Sequence, residues 1–324
     1  MKLSVEDDVK YIHFSDNWVH KIPCPKFMLL VEKASKSIVL VIRGTSCPAD
    51  VLRDIKCDAK PFLNGFAHRG ILNGAEKVMT EIKGELNEAM KQHPGYKLVI
   101  TGHSLGAGTA ILITMGILEN IYGINVDEVK CVALAPPPVY RSEHKIPEKF
   151  TKNIKIFVNK NDNCPRFSLA NVALVIEQMR AIDKSELGIT DCLKIIFGKG
   201  DKKKFKNIVE SIAKVSQNEI QNQGIVQNFH HPGTVYHLRE KTKYDEAITN
   251  FKTEGQYFTK SLCISDGFVW DHMQGQYAES FARVKFEDTR SFVIPGLTLL
   301  WEILLGLFHF LHSNDSMISV VKYK

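Results

Sequence analysis

Ser104 lies in the run Gly102-His103-Ser104-Leu105-Gly106, with another glycine at Gly108. A serine held in such a run suits nucleophilic attack. A sharp corner between a strand and a helix pushes the serine into a sparsely allowed backbone conformation, and neighbours without Cβ permit close approach. The flanks fit that corner. Leu98-Val99-Ile100 precede it as a short apolar strand, and Ala107 to Thr114 continue as an apolar helix. This is the context that G-x-S-x-G requires. Leu105 opens the helix, so its N–H points toward any anion forming beside Ser104. The alternative is a glycine-rich turn that contains a serine by chance.

A serine hydroxyl is a weak nucleophile without a base and an orienting carboxylate. In the α/β-hydrolase order the acid and then the histidine follow the serine, each in a loop after a strand. Asp162 follows the strand-like Ile154 to Val158 and precedes Pro165, which makes it the candidate acid. Asp127 precedes its strand and falls at the wrong end of a parallel sheet. Asp183, Asp191 and Asp201 fall in a different kind of segment, described below. The histidines after Asp162 are His230, His231, His237, His272, His309 and His312. His237 lies inside the strand-like "TVYHL", and His309 and His312 lie in an apolar tail. His272 follows "GFVW" and precedes a helical pattern. Position favours it, although a surface histidine beside Asp271 would be unremarkable.

The elements that must carry these groups alternate in type. Residues 26–45 read as two strands around a Lys33–Lys36 turn, the second leading into Arg43-Gly44-Thr45. From Ile71 to Gln92 apolar residues recur at helical spacing, and His93-Pro94-Gly95 ends the helix. After the Ser104 corner a helix runs from Leu105 to about Glu119. Further strands start at Val129 and Ile154, the first stopped by Pro136 to Pro138. Strands alternating with helices imply βαβ units and a largely parallel sheet. Residues 168–228 differ: they are helical in pattern, rich in Lys, Asn and Gln, and read as an insertion between acid and base. "TVYHL", "YFTKSLC" and "GFVW" read as shorter strands before a helix near 274–284. The expected organisation is an α/β-hydrolase domain over 1–290 and an apolar tail over 291–324.

Composition narrows the class. The 324 residues are 44% hydrophobic and 24% charged, as in globular chains, and 42 basic against 36 acidic residues leave a net charge of +6. That balance carries no nucleic-acid signature. The cysteines at 24, 47, 57, 131, 164, 192 and 263 form no C-x-x-C pair, which points away from a zinc site or a disulfide framework. Acidic residues near the N-terminus argue against a signal peptide, so a cytoplasmic, intracellular location is expected.

The stretches "VIRGTSCPADVLRDI", "AHRGILNGA", "VITGHSLGAG", "CVALAPPPV", "NKNDNCPRFSL" and "DHMQGQY" make the chain resemble a class 3 lipase, most of all the diacylglycerol lipase branch. By that resemblance Ser104 is the nucleophile, Asp162 the triad acid and His272 the base. Thr45, ending "RGT", is the oxyanion residue that acts with the Leu105 N–H. The segment 46–62 is the lid, with Val51, Leu52 and Ile55 clustered on one face of a short helix. Cys164 stands where the family more often has an aliphatic residue. The implied activity is cleavage of acylglycerol esters through an acyl-enzyme, with no cofactor or metal. Phospholipase or galactolipase action by the same mechanism, and a catalytically silent scaffold, are the alternatives.

The implied partner is lipid at a membrane or droplet surface, with no nucleic acid. Membrane contact is expected through the lid and through residues 291–312, where the run from Gly296 to Leu311 is apolar except for Thr298, Glu302 and His309. That helix either enters a membrane or packs on the core. Lys199, Lys202, Lys203, Lys204 and Lys206 form a basic cluster that suits an anionic surface or plain solvation.

Overall fold

The computed structural model describes residues 9–14, 25–44, 59–124, 126–183, 229–240, 248–253, 262, 267 and 269–284. Its centre is a sheet of eight strands: β1 (Val9–Phe14), β2 (Phe27–Glu32), β3 (Ser37–Ile42), β6 (Lys97–His103), β7 (Val129–Leu134), β9 (Ile154–Asn159), β10 (Thr234–Glu240) and β11 (Ile248–Thr253), in that spatial order. β3, β6, β7, β9 and β10 are parallel, and antiparallel strands flank them on both sides. The register runs Ile42 to Gly102 and Gly102 to Ala133, so the strand ends that precede Ser104 and Asp162 share one edge. In open parallel sheets that edge is where ligands bind.

β2 and β3 are buried along their whole length. Such runs belong in a sheet covered on both faces, which is why they read as continuous apolar stretches without alternation. One face packs Leu29, Ile38, Leu40 and Ile100 against α1 (Arg69–Gln92) and α2 (Leu105–Leu118). The other packs Leu30, Val39, Val99 and Phe157 around Tyr277 of a later helix. α1 shows the spacing read from sequence: Ile71, Val78, Ile82 and Leu86 are buried along one side. α2 is buried all round from Gly106 to Ile117, as expected of a helix apolar on every face. Each fully buried Ile or Leu there contributes about 1.5–3 kcal/mol, so the helix that starts at Ser104 is anchored by its own core.

Two short helices complete the parallel half: α3 (Glu148–Asn153) leads into β9, and α4 (Leu169–Asp183) follows a 3-10 turn at Cys164–Arg166. α4 is the described part of the expected 168–228 insertion, and it is helical as read. Residues 184–228 lie outside the described residues, as do 45–58, most of 257–263 and the whole tail 291–324.

Three expectations change. Residues 59–62, assigned to a lid, form strand β4 (Ala59–Phe62), which joins β5 (Gly65–His68) and β8 (Tyr140–Arg141) in a small antiparallel sheet. Pro61 is tolerated because β4 is an edge strand. "GFVW" is not a strand where it is described: Val269 is in the helical region and Trp270–His272 form a 3-10 turn that leads into α5 (Gln274–Arg283). β11 had no expected counterpart, since "ITNFKT" sits among charged residues and is stabilised by its pairing with β10. Among the described residues no helix is long and apolar enough to cross a membrane.

Candidate active site

Ser104 occupies the corner between β6 and α2 with φ 55° and ψ −127°, a positive φ that a side chain rarely adopts. The conformation is held on both sides. The Ser104 N–H bonds Leu134 O at 2.9 Å, and the Ser104 carbonyl accepts from Ala107 and Gly108 in the first turn of α2. The glycines are required by proximity. A Cβ on Gly102 would lie 2.5 Å from the carbonyl carbon of Gly106, and one on Gly106 would meet the Ile42 carbonyl. The end of β3 therefore presses against the corner. Gly44 continues that approach, since a Cβ there would be 3.3 Å from Ser104 Cβ. Thr45 follows it directly and lies outside the described residues.

The serine hydroxyl meets a histidine from 168 residues away: His272 Nε2 is 3.1 Å from Ser104 Oγ. On the other side of the ring, His272 Nδ1 is 3.0 Å and 3.1 Å from the two oxygens of Asp162. A carboxylate accepts, so Nδ1 carries the proton and Nε2 presents its lone pair to the serine hydroxyl. Asp162 is fully buried. Its Oδ1 accepts from the Cys164 N–H at 2.8 Å and its Oδ2 from the Tyr277 hydroxyl at 2.7 Å. A buried carboxylate needs such donors, because an unpaired one is expensive to desolvate.

The His272 turn is tied to the end of β9. Asn159 Nδ2 donates to Asp271 O at 3.1 Å, and Asp271 Oδ2 accepts from the Asn161 N–H at 3.0 Å. Ser280 of α5 donates to Asn159 Oδ1 at 2.6 Å, and Tyr277 accepts the Asn159 N–H at 2.9 Å. Thus the end of β9 and the turn before α5 hold Asp162 and His272 in one hydrogen-bonded unit.

The other histidines after Asp162 do different work where they are described. His237 is in β10, with Nε2 2.7 Å from Lys160 O, and His231 places Nε2 2.8 Å from Pro165 O. Burial lowers the pKa of each to about 4, so both rings are neutral donors to loop carbonyls. His309 and His312 lie outside the described residues. Leu105 is the first residue of α2 and has a helix-terminal N–H without an intrahelical acceptor. Cys164 places Sγ 3.8 Å from Ser104 Oγ, and burial, then Asp162, push its thiol pKa well above the usual value. It is a protonated neighbour of the serine. Among the described residues no three His, Cys, Asp or Glu side chains gather as metal ligands.

Sequence reasoning missed Tyr277, Asn159, Asp271 and Ser280. Tyr277 ends the quoted "DHMQGQY", and an aromatic one turn and a half after the histidine was the available signal.

Residues 39–172 match the family described as Lipase (class 3). Over these residues the chain is similar to class 3 lipases. The match includes Ser104 and Asp162 but ends before His272, which joins them by contact. Diacylglycerol lipase-beta of Mus musculus is 29% identical over 175 residues, which cover 51% of this chain and 24% of that protein. Diacylglycerol lipase-alpha of Homo sapiens is 31% identical over 159 residues, covering 45% and 15%. The chain thus spans a quarter or less of the length of these relatives. A solved Rhizomucor miehei lipase propeptide complex aligns with 82% of this chain and 68% of its own, at 17% identity and a TM-score of 0.49.

Proposed function

We propose that this protein is a class 3 lipase, a serine hydrolase that cleaves carboxylic esters of acylglycerols. The observation that carries the reading is the unbroken hydrogen-bonded line from Ser104 Oγ through His272 to Asp162. His272 Nε2 takes the hydroxyl proton as Ser104 Oγ attacks the ester carbonyl. The carbonyl π electrons move to oxygen, and the Leu105 N–H with Thr45 holds that oxyanion. One such donor contributes about 3 to 4 kcal/mol to the barrier reduction. His272 then gives its proton to the leaving alcohol as the C–O bond breaks, which leaves an acyl-Ser104 ester. Water, deprotonated by His272, attacks that ester, and the proton returns to Ser104 as the fatty acid leaves. Asp162 holds the ring tautomer and stabilises the imidazolium throughout.

Lipid substrate is supported by the surroundings of the base. Val269, Trp270 and Met273 flank His272 with 52%, 64% and 40% of their surface exposed. An aromatic and two aliphatic side chains beside a catalytic group suit a lipid surface better than water. The relatives' names favour diacylglycerol. Membrane contact by the 46–58 segment and by 291–312, and an intracellular, membrane-associated location, belong to the same proposal.

The test is a product assay of purified protein on diacylglycerol, triacylglycerol, phospholipid and galactolipid, beside a soluble p-nitrophenyl ester. Ser104→Ala and His272→Ala are expected to abolish turnover with the circular dichroism spectrum intact, and His237→Ala to keep it. Ester turnover by folded Ser104→Ala would refute the nucleophile. Preferential cleavage of phospholipid or galactolipid would overturn the acylglycerol assignment.

A further inference from the structure

We infer that His103, the residue before the nucleophile, is a positioning residue that holds the base in line with Ser104 and Asp162. The inference rests on the assignment of His272 as base and goes beyond it. In G-x-S-x-G this position is free to vary, so the motif itself assigns no work to it.

His103 ends β6 and its side chain is buried. Its Nε2 is 2.8 Å from the backbone carbonyl oxygen of His272. That oxygen can only accept, so the His103 Nε2–H donates. The bond fixes the main chain of the residue whose ring must reach the serine. The His103 ring also lies beside the His272 ring, with centroids 4.7 Å apart and a 40° tilt. Tyr277 lies edge-on to it at 5.8 Å, and the Tyr277 hydroxyl donates to Asp162. One imidazole thus contacts the base at two points and backs the tyrosine that holds the acid.

A purely structural residue would satisfy this packing with any ring. Two features ask for more. The His272 turn is a single 3-10 turn, and the bond from His103 ties its last residue to the end of the strand that leads directly into Ser104. Nucleophile and base are therefore linked through consecutive residues, His103 and Ser104, at the end of one strand, which supports the 3.1 Å contact between them beside the bonds that Asn159 and Asn161 make to the turn. His103 is also uncharged: burial, then the neighbouring His272, lower its pKa well below the usual value. When His272 becomes imidazolium during turnover, a neutral ring beside it adds no charge repulsion, and an aromatic face attracts a cation. A lysine or arginine could donate the same bond and would oppose that charge.

The variants separate bond from bulk. His103→Phe keeps an apolar ring and loses the donor. His103→Gln loses the ring and keeps an N–H at nearly the same reach. Steady-state hydrolysis of a soluble p-nitrophenyl ester across pH reports kcat, KM and the acid limb of kcat/KM. His103→Phe is expected to lower kcat about a hundredfold with KM little changed, because small misplacements of a catalytic group cost that much. The acid limb should shift. His103→Gln is expected to recover at least tenfold of the lost kcat. Wild-type kcat and acid limb in His103→Phe would overturn the inference, as would His103→Gln no better than His103→Phe. If His103→Phe does not fold, His103→Asn, whose amide is too short to reach the carbonyl, replaces it. These outcomes are distinct from failure of the main proposal, which would appear as ester turnover by Ser104→Ala.

Discussion

Lowering the pH from 7 to 5 should destabilise the fold through two buried histidines. His231 and His237 have folded pKa values of about 4 against an ordinary 6.5. Burial is the main cause in both; Arg166 and Arg239 add to it at His237, and His230 adds to it at His231. The folded state therefore binds fewer protons than the unfolded chain between these values. Stability is full above about pH 6.5 and is lost as pH falls toward 4. Integrating proton binding from pH 7 to pH 5 gives about 2 kcal/mol per histidine, or about 4 kcal/mol together. That is a large share of the 5–15 kcal/mol typical of a domain. Urea unfolding at both pH values should show a midpoint lower by more than about 1 M at pH 5. Carboxylates contribute to any such slope, so the decisive comparison uses His231→Gln and His237→Gln, which keep a donor to Pro165 and Lys160 but do not titrate. Each should flatten the dependence by about 2 kcal/mol. A double variant with the wild-type slope would show that the two rings do not exclude protons, and the reasoning would fail.

Tyr277→Phe removes a donor to Asp162 and leaves the buried Asn159 N–H without its acceptor. It should cost about 2–4 kcal/mol of stability and lower kcat about tenfold; thermal unfolding and soluble-ester kinetics check both, and unchanged values would make the hydroxyl dispensable. Trp270→Ser should leave the melting temperature and soluble-ester turnover near wild type while slowing hydrolysis of emulsified diacylglycerol about tenfold, the loss of about 1.4 kcal/mol of surface binding. Equal rates on the emulsion would remove Trp270 from the lipid contact.

Where physics is local, the sequence by itself determined the outcome. The apolar runs of β2, β3, β6, β7 and β9, the helical spacing of Ile71 to Leu86 and the glycines around Ser104 act over a few residues, and the Ser104 corner follows from them. Asp162 was legible for the same reason, as the aspartate just past a buried strand. The resemblance carried His272 further than its own surroundings did. "GFVW" has strand-like composition, yet its last residue opens the 3-10 turn Trp270–His272, which Asn159 and Asp271 tie to the end of β9 across about a hundred residues of sequence. β11 likewise exists through its pairing with β10, and residues 59–62 became a strand because β5 offers an edge. Only the tertiary structure decided which histidine meets the serine, since their contact spans 168 residues and no local pattern encodes it. It also assigned the supporting shell. His103, Tyr277 and Asn159 bond to backbone or carboxylate atoms brought in from other elements, and the spacing of a side chain along its own chain does not record which distant polar group it will meet.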